Sequence, residues 1–149
     1  MLRDIIYLNQ GEKTLNAIVS NNDIYLDDTD WGGIWGYGAQ DVLILNNKIS
    51  GTGFAGIYTG WDEWETANNW TLLGNNVQNV DALVAPIWLG PGTSNCTVVG
   101  GNTKEIVRDD GTDNIVVGMN HKQGTPLGPE IQDAMQQKKD LIDSFRRHP

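Results

Sequence analysis

Acidic side chains cluster in three short stretches that lie between apolar segments of the sequence. These stretches are residues 25–32, 60–69 and 108–114. Paired carboxylates can act as acid and base in glycoside cleavage, or bind Ca²⁺ through their oxygens. The candidate catalytic residues on this reading are Asp62, Asp109, Asp110 and Arg108. The alternative is a solvated acidic surface that carries no chemistry.

Aromatic side chains form a second set. Trp35, Tyr58 and Trp88 each follow an isoleucine in a repeated segment, so strand alternation predicts that they share one outward face. Four more aromatic residues flank them in adjoining loops, and these are Trp31, Tyr37, Trp61 and Trp64. Exposed flat rings at regular spacing suit the apolar faces of sugar rings, and exposed apolar patches mark binding surfaces. The pattern predicts binding of a polysaccharide or oligosaccharide, unless the loops fold over the rings and bury them.

Other chemistry finds little support among the residues. No phosphate loop, catalytic triad or cysteine–histidine zinc pattern occurs in the sequence. His121 and His148 do not indicate a metal site, and Cys96 and Trp70 fall at inward positions of the repeat, where they are expected to be core. We therefore expect no cofactor, with Ca²⁺ at the acidic stretches as the one exception considered.

A repeated segment must position these residues. Its copies are marked by Val19, Ile44, Leu72, Val98 and Val116, which lie between 18 and 28 residues apart. Each marker is followed by a corner of Asn or Gly, such as Asn46–Asn47. A second short strand recurs in the same order around Ile34, Ile57, Ile87 and Ile106. Two interleaved repeats in constant order predict a stacked β fold.

Stacking explains why the copies must come together. One copy, or rung, cannot bury its apolar face alone, whereas rungs stacked at about 4.8 Å pair every backbone group. Asn suits the corners because it tolerates a left-handed backbone and its amide can bond the Asn of the next rung. The predicted core comprises Val42, Ile44, Ile49, Ile57, Leu72, Ile87, Val98, Ile106 and Val116.

On these repeats the chain resembles the right-handed parallel β-helix proteins of the pectin-lyase-like superfamily, over about residues 4 to 120. The resemblance implies an all-β fold, a right-handed parallel β-helix of about five rungs. That superfamily includes lyases, hydrolases, epimerases and phage tailspikes, so the fold alone does not give the function. Asp109–Asp110 is similar to the paired aspartates of polygalacturonases, but the Gly-His-Gly and Arg-Ile-Lys motifs are missing here. Pectate lyases pair Ca²⁺ with an arginine base, for which Arg108 is the sole candidate.

These considerations favour a carbohydrate-binding or carbohydrate-associated domain without catalysis of its own. One alternative is a polysaccharide lyase or glycoside hydrolase that uses the acidic loops. The other is a structural part of a phage or surface assembly.

The repeated β pattern of the sequence ends after His121. We therefore divide the chain into a β-helix at 1–123 and a linker with a helix at 124–149. Pro129 suits the first position of a helix. The apolar face of this helix is formed by Ile131, Ala134, Met135, Lys138, Leu141, Ile142 and Phe145. We expect an amphipathic cap over the last rung, and an oligomerisation helix is the alternative.

The net charge and the N-terminal sequence limit the classes of partner that we expect. The net charge of −9 disfavours nucleic acid and anionic membranes, and favours a neutral or cationic glycan over a polyuronate. Residues 1–16 contain no amphipathic helix to cover the first rung, so we expect a homo-oligomer formed through that open edge. The N-terminus lacks the apolar run of a signal peptide, whereas members of the superfamily are mostly exported, and the location is left open.

Overall fold

The computed structural model of the chain describes residues 6–8, 13–14, 16–28, 31–36, 39–60, 66–101, 106–118, 120–123 and 128–146. Side chains are described within these ranges except at 6–8, 13–14, 78–79, 106, 120–123, 142–143 and 145–146. The described residues form three parallel sheets and one C-terminal helix. Within them, no helix combines the length and the apolar composition that crossing a membrane requires.

Sheet 1 is the largest of the three. Its strands are β1 (Ile6–Leu8), β4 (Asp23–Leu26), β5 (Gly32–Gly36), β8 (Lys48–Thr59), β11 (Asn76–Leu89), β14 (Ile106–Asp109) and β16 (Asn120–Gln123). They lie in the order β1-β5-β8-β11-β14-β16, and β4 pairs with the first part of β8. The long strands β8 and β11 therefore run along the middle of this sheet.

Two narrower sheets complete the β structure. Sheet 2 has the order β15-β13-β10-β7-β3, with strands β3 (Ile18–Ser20), β7 (Leu43–Leu45), β10 (Thr71–Leu73), β13 (Thr97–Val99) and β15 (Ile115–Val117). Sheet 3 contains β2 (Lys13–Thr14), β6 (Ala39–Gln40), β9 (Ala67–Asn68) and β12 (Thr93–Ser94). The first four repeats each supply strands to all three sheets in a constant order, and the last supplies β15 to sheet 2 and β16 to sheet 1.

Neighbouring strands come from successive repeats, and each pairing between the described strands is parallel. In sheet 2 the markers of the repeat stand side by side, and the row is Val19, Ile44, Leu72, Val98 and Val116. The prediction of a mostly β chain with parallel strands and a C-terminal helix is confirmed.

Left-handed residues turn the chain on both sides of sheet 2. Before its strands, positive φ values of 51° to 60° occur at Asn16, Asp41, Asn69, Asn95 and Asp113. After its strands, positive φ occurs at Asn21, Asn46, Gly74, Gly100 and Gly118. Asn, Asp and Gly are the residues that adopt this conformation at least cost, which is why the repeat carries them at its corners.

An amide ladder follows the second corner. Asn22 Nδ2 donates to Asn47 Oδ1 at 2.9 Å, and Asn47 Nδ2 donates to Asn75 Oδ1 at 3.0 Å. The predicted bond between successive corner amides is confirmed, with Gly74 at the left-handed position and Asn75 in the ladder. The ladder ends at Gly101, where a Cβ would lie only 2.1 Å from the Asn75 carbonyl oxygen.

The core lies between the sheets. The predicted core residues Val42, Ile44, Ile49, Ile57, Leu72, Ile87 and Val98 are buried, and so are Trp70 and Cys96. Val116 is half-buried, and the side chain of Ile106 lies outside the described part of the chain. The alignment at Ile106 is off by one residue, because Ile87 pairs with Val107, which is buried.

Helix α1 (Pro129–Arg146) packs on the outer face of sheet 1. Ala134 and Met135 contact the aromatic side chains of that face. These aromatic residues belong to the middle strands β5, β8 and β11, whereas the last repeat forms β15 and β16. The prediction of a cap over the last rung is therefore wrong for the described helix. The large aromatic surface of sheet 1 offers the helix more apolar area than a single valine row does.

Candidate functional site

An aromatic column runs across the outer face of sheet 1. Trp35, Tyr58 and Trp88 share one register position on β5, β8 and β11. Trp35 stacks on Tyr58 at 5.3 Å between ring centroids, and Tyr58 lies 6.2 Å from Trp88. Trp31 extends the stack on the far side of Trp35, at 4.8 Å and 14° from parallel. The strand register places these three aromatic residues on one face of the sheet, as predicted.

The accessibility predicted for these three rings is wrong. Trp35, Tyr58 and Trp88 are 4%, 1% and 0% exposed. Phe54 of β8 meets Tyr58 and Trp88 edge-on, at 5.3 and 5.8 Å. Helix α1 covers the rest of the cluster. A polysaccharide laid along the column cannot reach these rings while the helix is in place.

A cleft of about 550 Å³ opens where helix α1 meets the segments of β8 and β11 beside the column. Its lining residues are Asp28, Trp31, Thr52, Gly53, Phe54, Asp81, Ala82, Leu83, Ala134, Gln137, Lys138 and Leu141. Among the seven predicted aromatic residues, Trp31 lines this cleft and is half-buried. The volume falls within the range of pockets that hold small ligands, about 300–1,000 Å³.

Lys138 is a charged residue of helix α1 whose side chain faces inward. Its side chain is buried, and its Nζ lies 4.2 Å from the ring centroid of Phe54 and 5.4 Å from that of Trp31. A cation held over aromatic rings is attracted by their electron-rich faces, more strongly when it is desolvated. Lys138 thus ties the helix to the wall of the cleft and fixes Trp31 beside it.

Two of the candidate catalytic residues are engaged with the aromatic column. Asp110 Oδ2 accepts a hydrogen bond from Trp88 Nε1 at 2.7 Å and an ion-paired one from Arg108 Nε at 2.9 Å. Arg108 follows Trp88 in the same register row, on β14. Arg108 and Asp110 therefore extend the column by charge-assisted hydrogen bonds where aromatic residues end.

Asp109 has a different role. It is buried, and its Oδ1 accepts from the backbone N–H of Gly111 at 2.9 Å and from Asn114 Nδ2 at 3.0 Å. Asn114 in turn accepts the backbone N–H of Cys96 at 2.9 Å. Asp109 thus holds the turn into β15.

Four predicted site residues, Asp62, Tyr37, Trp61 and Trp64, lie outside the described residues. Their assignment stays a prediction, and so does the binding role of Trp31, the predicted aromatic residue that lines the cleft. Within the described ranges, no group of three or more His, Cys, Asp or Glu side chains could hold a metal ion.

Several cleft residues were missed as site residues. Lys138 gave a signal, because it is the one charged residue on the apolar face of the helix. Asp28 lay in a predicted acidic loop. Thr52, Asp81 and Gln137 gave none, since each belongs to an ordinary strand or to the polar side of a helix.

Cys96 is chemically quiet. Burial raises the pKa of its thiol to about 12, although backbone hydrogen bonds oppose the shift. Its Sγ accepts the backbone N–H of Trp70 at 3.4 Å. A thiol with this pKa holds its proton at neutral pH, so Cys96 is a core side chain and no nucleophile.

Comparison of the chain with protein-family models, with curated proteins and with solved structures finds no match.

Proposed function

We propose that the chain is a right-handed parallel β-helix of the pectin-lyase-like type, with about five rungs. Three parallel sheets with one order of strands in each repeat support this reading. The corner residues and the Asn22–Asn47–Asn75 ladder support it as well. Crossover connections between parallel strands of one sheet are almost always right-handed. A crystal structure with left-handed crossovers would contradict the proposal.

We further propose that the domain binds carbohydrate in the cleft beside helix α1 and carries out no catalysis of its own. The observation that carries the proposal is the position of Trp31. One face of its ring is stacked on Trp35, and the residue lines the cleft while only half-buried. A ring held by stacking loses little freedom when a sugar packs against its edge or open surface, which lowers the cost of binding.

Polar side chains around Trp31 supply the groups that sugar hydroxyls need. Asp28 and Asp81 are exposed carboxylates that accept hydrogen bonds, and Gln137 and Thr52 both donate and accept. A few such groups beside an aromatic wall are typical of small-ligand sites. With a net charge of −9, the ligand that fits best is a neutral or cationic glycan.

The cleft changes the predicted length of the ligand. A platform along the column would favour long chains, whereas a cleft closed on one side by a helix takes a short segment or a chain end. Affinity is therefore expected to level off at a short oligosaccharide instead of growing with each added sugar.

Trp31→Ala tests the proposal. A glycan array identifies the ligand, and titration calorimetry with a short oligosaccharide then compares the parent with Trp31→Ala. The variant should lose at least about tenfold in affinity, in line with truncation of an aromatic anchor. Tyr25→Ala is the control, because Tyr25 is a partly exposed aromatic residue on β4 outside the cleft. Equal affinity of Trp31→Ala and the parent protein would exclude the cleft as the binding site.

A further inference from the structure

The charges that line the cleft beside helix α1 do not balance. Within the described part of the chain, its charged lining residues are Asp28, Asp81 and Lys138. The two aspartates are exposed, whereas Lys138 is buried. The cleft therefore presents two negative charges to solvent, and its single positive charge lies in the wall.

Lys138 does not neutralise either carboxylate. Its Nζ lies over the rings of Phe54 and Trp31, at 4.2 and 5.4 Å from their centroids. Among the described residues, no hydrogen bond or ion pair engages Asp28 or Asp81. Both carboxylates thus keep their full capacity to accept hydrogen bonds from a ligand.

Strand pairing brings the two carboxylates to one wall of the cleft. Asp81 on β11 pairs with Thr52 on β8. Asp28 follows β4, whose last residue, Leu26, pairs with Gly51 on the other edge of β8. Because β4 and β11 flank β8, the carboxylates reach the cleft from either side of Thr52. This wall therefore offers an anionic acceptor on each side of a hydroxyl group.

We propose that the glycan bound in the cleft carries protonated amines, as an amino sugar without an acetyl group on its nitrogen does. The inference rests on the proposed carbohydrate function and narrows it. An ammonium group donates charge-assisted hydrogen bonds to carboxylates, and these are about twice as strong as bonds between neutral groups. A sugar hydroxyl can use the same acceptors but gains no ionic attraction.

Lys138 limits where the amine binds. Its ammonium group already lies over the ring of Phe54 and repels a second cation at that position. The amine of the ligand is therefore expected at Asp28 and Asp81, while an uncharged part of the sugar packs against Trp31.

The charge of the whole chain acts in the same direction. A net charge of −9 attracts a cationic chain and repels a polyuronate. That attraction is general, whereas Asp28 and Asp81 act locally, because salt at about 0.15 M shortens the reach of exposed charges to about 8 Å. A test must therefore separate the two carboxylates of the cleft from the charge of the protein as a whole.

Three oligosaccharides of equal length and linkage provide the first part of the test. They are β-1,4-linked oligomers of glucosamine, of N-acetylglucosamine and of glucose, which differ in carrying an amine, an acetylated amine or a hydroxyl on each ring. In titration calorimetry at about 0.01 M salt, the glucosamine oligomer should bind at least about tenfold more tightly than the other two. The preference should shrink at about 1 M salt, where charges are screened within about 3 Å.

Two variants that each remove one negative charge provide the second part. Asp81→Asn should remove most of the preference for the glucosamine oligomer. Asp113→Asn is the matched control and should keep it, because Asp113 is exposed at the corner before β15, outside the cleft. Its φ of 58° is one that asparagine adopts at the equivalent corners Asn69 and Asn95, so the control should fold normally.

The possible failures are distinguishable. Equal affinity for the three oligosaccharides, tighter binding of the N-acetylated oligomer, or equal effects of the two variants would overturn the amine preference and leave carbohydrate binding in place. A glycan array that shows only uncharged or acidic ligands would do the same. An array without any ligand would overturn the carbohydrate proposal and the amine preference together.

Discussion

Trp35 and Tyr58 occupy the same register position on neighbouring parallel strands, and their rings stack 5.3 Å apart and 9° from parallel. The repeat of the sequence fixes this relationship, because register places equivalent residues side by side. The same row continues to Trp88 and then to Arg108, where the Asp110 carboxylate bonds both side chains. A column of this kind is a structural element of the fold, and its loss should lower the free energy of unfolding.

Truncation of the column should therefore destabilise the protein. Trp88→Ala removes a fully buried indole and its hydrogen bond to Asp110, and should lower the free energy of unfolding by about 3–5 kcal/mol. Chemical denaturation followed by circular dichroism measures the change. Trp31→Ala serves as comparison and should cost less, because Trp31 is only half-buried. Equal, small losses in both variants would contradict the buried column.

The amide ladder should be equally sensitive. Asn47 Oδ1 accepts from the backbone N–H and Nδ2 of Asn22, and its own Nδ2 donates to Asn75 Oδ1 and to the Val19 carbonyl. Asn47→Ala removes all four of these bonds, including the side-chain partner of the Asn22 backbone N–H and of the Val19 carbonyl, and should lower the free energy of unfolding by at least about 2 kcal/mol.

The neighbouring corner residue provides the control for the ladder. Asn46 is exposed with a φ of 53°, a conformation that glycine adopts freely. Asn46→Gly should leave stability within about 0.5 kcal/mol of the parent. If Asn47→Ala and Asn46→Gly unfolded at the same denaturant concentration, the ladder would not stabilise the fold.

Helix α1 should be needed to shield the column. Ala134 packs on the aromatic cluster, so Ala134→Glu places a carboxylate against it and should loosen the helix. Tryptophan fluorescence should then shift to the red, because the rings gain contact with water, and the apolar dye ANS should bind. Gln132→Glu adds the same charge at an exposed position in the first turn of the helix, where a carboxylate is favourable, and should change neither signal. Identical spectra for both variants would show that the helix does not protect the rings.

The buried thiol of Cys96 should make the stability of the protein fall at alkaline pH. Burial raises the pKa of its thiol from 9.0 to about 12 in the folded protein. Above pH 9 the unfolded chain therefore loses the thiol proton while the folded chain keeps it, and the contribution to stability falls as the pH rises toward 12. Cys96→Ala should reduce this part of the pH dependence of the melting temperature. A thiol reagent at pH 8 should label Cys96 only after denaturation, and rapid labelling of the folded protein would contradict its burial.

The stacked β structure was predictable because its signals are local and repeated. Each copy carries a left-handed Asn, Asp or Gly at the same place, and an inward apolar residue between two outward ones. The one error of register, at Ile106, arose where Ile106 and Val107 are both apolar. A pattern of alternation cannot choose between two apolar neighbours, whereas pairing with Ile87 does.

The burial of the column could not be read from the sequence in the same way. The amphipathic pattern of residues 129–146 predicts that the helix has an apolar face, but it does not say which surface that face meets. Met135 and the aromatic cluster that contains Trp88 are brought together only by the fold. The cleft was hidden for the same reason, since residues from four separate parts of the chain line it.

The recurring corners make the length of this fold adjustable. Asn69 and Asn95 have φ values of 59° and 56°, and the strands that follow them, β10 and β13, are paired in register. The chain that leaves one corner is thus geometrically equivalent to the chain that leaves the next, 26 residues later. Duplication or loss of one such unit joins ends that already match, so a gene for this domain can gain or lose a whole layer in one recombination step.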